Sequence, residues 1–166
     1  MNKVLVAYAS KTGSTAEVAE AIGAALAGRG IAAEVRKIGD AASIEGYVGA
    51  VLGSPINGMR WLPEASAFVS ANAPALRSMP VALFYLSYIQ FADGRPIWKR
   101  SIDAGMKALA ASAGAFAVRG FGGKAASSLP GFARFIFGTR PDAPSDLRDW
   151  DAIRAWAGEL ADRFLA

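Results

Sequence analysis

The chain has 166 residues, 53% hydrophobic and 19% charged, which is the length and composition of one folded domain with a substantial core. It contains neither Cys nor His. Those two absences exclude disulfides, thiolate nucleophiles, Cys-held iron–sulfur clusters, zinc fingers and His-dependent hydrolase triads, so demanding chemistry would have to come from a bound cofactor. Lys and Arg exceed Asp and Glu by 18 to 14, giving a net charge of +4 and a pI near 9.6, which favours anionic partners.

No run of basic residues interleaves with aromatics, and nucleic acid is not expected as a partner. The apolar run at residues 4–9 is too short for the core of an export signal and meets Lys11 at once, so a cytoplasmic location is expected. The longest mostly apolar stretch, residues 80–91, falls well short of the ~20 residues a membrane span needs.

In chain order, residues 3–9 read as a strand buried on both faces, since the run is apolar without polar alternation. Val18, Ala19, Ile22, Ala25 and Leu26 follow at helical spacing across residues 14–29, and Gly28 and Gly30 supply a stop. Strands are expected at 31–38, 49–53, 81–86 and 115–119, and helices at 62–70, 97–112 and 150–165. The alternation predicts a single α/β domain over residues 1–166, a doubly wound parallel sheet of about five strands with helices on both faces. Residues 120–148 break the rhythm. This stretch, rich in Gly and Pro, is too long for an ordinary connection and reads as a functional insert.

Between the first strand and the first helix stands Ser10-Lys11-Thr12-Gly13-Ser14-Thr15. Backbone N–H groups and the positive end of a helix converge there, the hydroxyls add donors, and Gly13 permits the tight curl that turns the amides inward. The alternative is a simple helix cap by Thr12 or Ser14. The loop has neither the nucleotide-triphosphatase pattern nor the Gly-x-Gly-x-x-Gly of dinucleotide folds.

Val6, Tyr8, Ser10, Gly13, Thr15, Ala19 and Ile22 stand at the spacing of the flavodoxin signature, and the chain resembles that family. The resemblance implies a flavodoxin-like fold of strand order 2-1-3-4-5 holding FMN, with the phosphate in Ser10, Lys11, Thr12, Gly13, Ser14 and Thr15. In such sheets the ligand lies beyond the carboxyl ends of the strands, between the first and third. The loop Ser54, Pro55, Ile56, Asn57, Gly58 should then border the flavin ring. Asn57-Gly58 can reach positive φ and serve as a redox-sensitive peptide, or it can be an ordinary turn. Ser87, Tyr88 and Ile89 form the second wall, with Tyr88 the candidate to stack on the ring. Trp61 is either a stacking or a core residue. Gly120 and Gly122, read as the start of the loop after the fifth strand, would allow close backbone approach to the ring edge, or form a flexible exit turn.

Electron-shuttle flavodoxins are characteristically acidic, and this chain is basic. Gly53-Ser54-Pro55-Ile56 followed by Gly58, Ser78-Met79-Pro80, the insert, and Arg148-Asp149-Trp150-Asp151 more closely resemble the menaquinone-dependent protoporphyrinogen oxidase branch. That resemblance implies an FMN-dependent oxidoreductase passing electrons from an organic small-molecule donor through FMN to a quinone. The alternative is a flavodoxin-type carrier without substrate chemistry of its own. No catalytic residue and no metal site are identified. The insert combines Arg119, Lys124, Arg134 and Arg140 with Leu129, Phe132, Phe135, Ile136 and Phe137, which suits an acidic amphipathic substrate or peripheral contact with the inner face of a membrane, or else a cover over the sheet. Its cations are expected to contribute little to FMN affinity.

Overall fold

The computed structural model describes residues 2–40, 43–125, 131–139 and 144–166. The strands are β1 (Lys3–Tyr8), β2 (Ala32–Lys37), β3 (Tyr47–Asn57), β4 (Arg60–Trp61), β5 (Val81–Ser87) and β6 (Ala117–Gly122). The helices are α1 (Ser14–Gly28), α2 (Pro63–Leu76), α3 (Tyr88–Phe91), α4 (Pro96–Ala113), α5 (Gly131–Phe137) and α6 (Trp150–Leu165). Five strands pair in parallel in the order β2-β1-β3-β5-β6, and β4 pairs antiparallel with the end of β3. This is the expected doubly wound sheet, with one additional short strand.

Two cores follow from the two-residue period of a strand, which sends neighbouring side chains to opposite faces. Leu5, Leu52, Leu83 and Tyr85 pack with Phe68 and Val69 of α2 and Ile102 and Met106 of α4. Val4, Val6, Val51 and Phe84 pack on the other face with Val18, Ile22 and Leu26 of α1 and Ile153, Trp156 and Leu160 of α6. Burial on both faces is why the central strands read as continuous apolar runs and not as alternating ones. Trp156 sits edge-on to both Phe84 and Phe121, at centroid distances of 6.4 and 5.6 Å, and ties α6 to the sheet.

Four expectations change in position, one of them the helix expected at 62–70, which continues to Leu76 with Pro74 inside it. The third strand extends to Asn57 because a hairpin, with Ile56 opposite Trp61 and Asn57 opposite Arg60, prolongs it beyond the parallel sheet. The positive φ values of that hairpin belong to Gly58 (59°) and Met59 (65°), one residue later than the Asn57-Gly58 turn expected. Two left-handed central residues are what a two-residue hairpin matched to strand twist requires. Gly120 and Gly122 lie inside β6 and not in the loop after it. A Cβ on Gly120 would come within 2.5 Å of the Tyr85 ring, and one on Gly122 within 2.0 Å of the Leu147 carbonyl oxygen, so both glycines serve close packing of the strand.

The insert has internal order. Its neck is a short antiparallel ribbon in which the Ala125 N–H donates to the Ser145 carbonyl at 2.7 Å, the Leu147 N–H donates to the Gly123 carbonyl at 3.0 Å, and Lys124 stands opposite Asp146. Beyond the neck, α5 docks on the start of α4. The Arg95 backbone N–H and Nε donate to the carbonyls of Phe137 and Ile136 at 3.0 and 3.1 Å, and Trp98 meets Phe137 edge-on at 6.3 Å. Leu129, Arg140 and the Arg134 side chain lie outside the described residues.

Candidate functional site at the carboxyl ends of the strands

The loop that leaves β1 is curled by Gly13, whose φ of 90° is left-handed and therefore costly for any residue with a Cβ. Its N–H donates to Ser10 Oγ at 2.9 Å, and its carbonyl accepts from the Glu17 N–H at 3.2 Å to start α1. The helix has no side-chain cap, so the reading of Thr12 or Ser14 as a cap does not describe this loop. Thr15 is fully buried, and its Oγ1 has no hydrogen-bond partner among the described residues. A buried hydroxyl without a partner costs roughly 1–3 kcal/mol, and such a group at the first turn of a helix is what a bound anion would satisfy.

The neighbouring loops are held by their own polar groups. Ser54, fully buried, accepts from the Leu62 N–H at 3.0 Å and donates to the Pro55 carbonyl at 2.9 Å, fixing the hairpin to the entrance of α2. Trp61 is 2% exposed and belongs to the core, the second of the two roles its position allowed. Ser87 caps α3 by accepting from the Gln90 N–H at 3.2 Å, and its carbonyl accepts from the Gly123 N–H at 3.3 Å. Tyr88 opens α3, and its hydroxyl donates to the Pro144 carbonyl at 2.9 Å across the end of the insert. The Ile89 carbonyl accepts from the Gly94 N–H at 2.9 Å and closes the turn after α3. Nearby, the Tyr85 hydroxyl and Gln90 Nε2 both reach Asp103, at 3.5 and 3.0 Å. Burial pushes the Tyr85 phenol above its ordinary range, so it stays protonated.

Arg148 belongs to the site although no sequence motif places it there. Its side chain, only 5% exposed, pairs with Glu17 of α1 and with Asp146 of the neck, and its Nη1 donates to the Ser14 carbonyl at 3.3 Å. Its guanidinium also lies over the Trp150 ring at 4.8 Å. The guanidinium holds the Asp146 carboxyl below its usual range, and the arginine is itself bound more firmly to its proton by Asp146 and then Glu17, against the opposing effect of burial. The sequence marks Arg148 only as part of the start of the last helix; its partner Glu17 is 131 positions away, and no local pattern encodes that pairing.

Loop and neck together bound a cavity of about 190 Å³ lined by Thr12, Ser14, Glu17, Lys124 and Ala125. A larger cleft, about 310 Å³, lies between α2 and α4 and is lined by residues including Ile56, Trp61 and Met106. The smaller one is distinguished by its place, between the loop that leaves β1, the first turn of α1 and the neck of the insert. Among the described residues no group of acidic side chains could hold a metal ion, and no helix is long and apolar enough to cross a membrane.

A family model described as a flavodoxin domain matches residues 5–137. No curated protein sequence gives a significant match. Among solved structures, the rubredoxin oxygen:oxidoreductase of the anaerobe Desulfovibrio gigas superposes with a TM-score of 0.61 at 13% identity, over 100% of this chain and 37% of that one. The chain thus spans little more than a third of that protein. A flavodoxin from the domain Archaea gives 0.63 at 16% identity over 99% of both chains. Oxidised Flavodoxin 2 from Bacillus cereus gives 0.59 at 19% identity, over 98% of this chain and 97% of that one. At these identities the structural likeness is one of fold. The left-handed Gly13 and the unpartnered Thr15 hydroxyl fit a phosphate in residues 10–15, and with the family match spanning most of its length the chain belongs to the flavodoxin domain family, whose cofactor is FMN.

Proposed function

We propose that the protein is an FMN-dependent oxidoreductase that takes electrons from an organic donor and delivers them to a quinone, in the manner implied by its resemblance to menaquinone-dependent protoporphyrinogen oxidases. The observation that supports this reading is α5. Phe132 and Phe135 are 71% and 77% exposed, on a helix that Arg95 and Trp98 hold in place. Ile136 of the same helix is exposed too, as are Ile97 of α4, on which it docks, and Phe91 of α3. Apolar side chains kept in water on an ordered element mark an interaction surface. Together with the net charge of +4, they suit an apolar molecule bearing carboxylates, or the headgroup region of an anionic bilayer.

FMN, when bound, supplies the two-electron chemistry that the side chains of a chain without Cys or His do not. The chain's own tasks are binding and orientation. Residues 10–15 hold the phosphate, the hairpin pinned by Ser54 and the α3 turn capped by Ser87 border the ring, and the insert meets the donor.

A second reading, an electron carrier with protein partners, is favoured by the archaeal flavodoxin that matches over 99% of both chains. Steady-state turnover separates the two. The FMN-loaded protein is incubated without oxygen with protoporphyrinogen and menadione, a soluble menaquinone analogue, and both are followed. The oxidoreductase reading predicts protein-dependent consumption of donor and quinone together. Absence of turnover with demonstrated FMN occupancy would contradict it and leave the carrier.

A further inference from the structure

The cavity at the start of α1 is closed by the insert and not by the phosphate loop alone. The neck ribbon, held by the Ala125–Ser145 and Leu147–Gly123 hydrogen bonds, places Lys124 in the same cavity wall as Thr12 and Ser14. Glu17 shares that wall and would repel an anion there. Its carboxylate, however, is paired with Arg148, which also binds Asp146 and the Ser14 carbonyl. Arg148 therefore offsets one of those two negative charges; Lys124, which also lies close enough to Asp146 to hold its carboxyl lower, is the cation that lines the cavity itself. Lys11, inside the loop, lies outside that lining; both lysines are exposed. Thr15, next to Ser14 in the first turn of α1 but outside that lining, is fully buried with an unpartnered hydroxyl.

A phosphate monoester carries about −1.5 to −2 charges at neutral pH, whereas the end of a helix offers roughly half a positive charge. Loop amides and hydroxyls orient the group without neutralising it. We propose that Lys124 belongs to the cofactor site, its ammonium pairing with the phosphate seated in residues 10–15, so that the insert contributes directly to FMN affinity. The inference rests on FMN binding by this fold and reverses the expectation that the insert's cations are neutral toward the cofactor.

FMN and riboflavin differ by the phosphate alone, and this makes the test specific. Dissociation constants of both are measured by flavin fluorescence for the wild-type protein, Lys124→Gln and Lys124→Arg, at low and at physiological salt. Lys124→Gln is expected to weaken FMN about tenfold while riboflavin changes less than about twofold, as befits removal of a charge-assisted hydrogen bond that only FMN can accept. Lys124→Arg should retain most of the FMN affinity, and the salt dependence of FMN binding should be shallower in the Gln variant. Melting of the cofactor-free proteins checks that Lys124→Gln folds as the wild type does; if it does not, Lys124→Arg and the wild-type salt dependence with the two flavins decide the question. Equal weakening of both flavins, or no weakening of either, would overturn the proposal. A wild-type protein that binds neither flavin would overturn the cofactor reading as well, one that binds both with the same affinity and salt dependence would overturn the phosphate seat in residues 10–15 together with Lys124, and a preference for FMN that Lys124→Gln leaves unchanged would overturn the role of Lys124 alone.

Discussion

Thr15 carries a cost in the cofactor-free protein that FMN should remove. Thr15→Val keeps the shape of the side chain and deletes its buried, unpartnered oxygen. FMN affinity is therefore expected to fall about tenfold, while the melting temperature of the cofactor-free protein stays level or rises, because an unsatisfied hydroxyl costs roughly 1–3 kcal/mol. Calorimetric titration and thermal melting check the two halves. Gly13→Val should weaken FMN further: no atom stands within 4 Å of the position a Cβ would take, so the penalty is the left-handed backbone itself. At this scale the sequence is partly legible. Spacing alone locates the loop from Ser10 to Thr15, because its chemistry is local. Arg148 is not legible in the same way, since its function is a pairing with α1 made only when the last helix folds back across the sheet face.

Arg148 is also where elements are joined, since it links α1 to the neck of the insert. The folded Asp146 carboxyl titrates below its unfolded value, chiefly through its hydrogen bond to Arg148, so the stability it contributes is present above the unfolded carboxylate pKa of about 4 and is lost as pH falls through the lower, folded value. Asp146→Asn should accordingly be less stable than wild type near pH 7, with the difference shrinking below about pH 4. Melting curves recorded across that range measure it; a difference that persists unchanged into acid would show that the carboxylate charge is not its source. Most elements are legible from apolar runs and helical periods, and the last helix matches residue for residue, with Asp149 accepting the Ala152 N–H at 2.9 Å as its cap. The hairpin turn is displaced by one position because Met59 adopts a φ that no residue of its type signals. The strand Arg60–Trp61 reads in the sequence as the end of the loop after the third strand, since two residues give no period to detect.

In the proposed function, two tasks are divided along the carboxyl edge of one sheet. Loops from β1, β3 and β5 leave doubly buried strands and hold their polar groups in place, whereas the insert leaves the edge strand β6, with exposed aromatics on α5 and Lys124 in the cavity wall beside Thr12 and Ser14. The fold is legible at this scale because the alternation of strands and helices specifies a right-handed doubly wound sheet. The place of Lys124 in the cavity wall is not, as it depends on a ribbon formed between residues 123–125 and 145–147. The chain is a flavodoxin-domain protein with FMN as its cofactor, and residues 10–15 are the proposed seat of the phosphate. The most direct test of that seat is titration of FMN into the cofactor-free full-length protein, followed by flavin fluorescence, with Gly13→Val in parallel. The account predicts saturable binding of about one FMN per chain that is severely weakened in the variant; no saturable binding, or equal binding by both proteins, would contradict it.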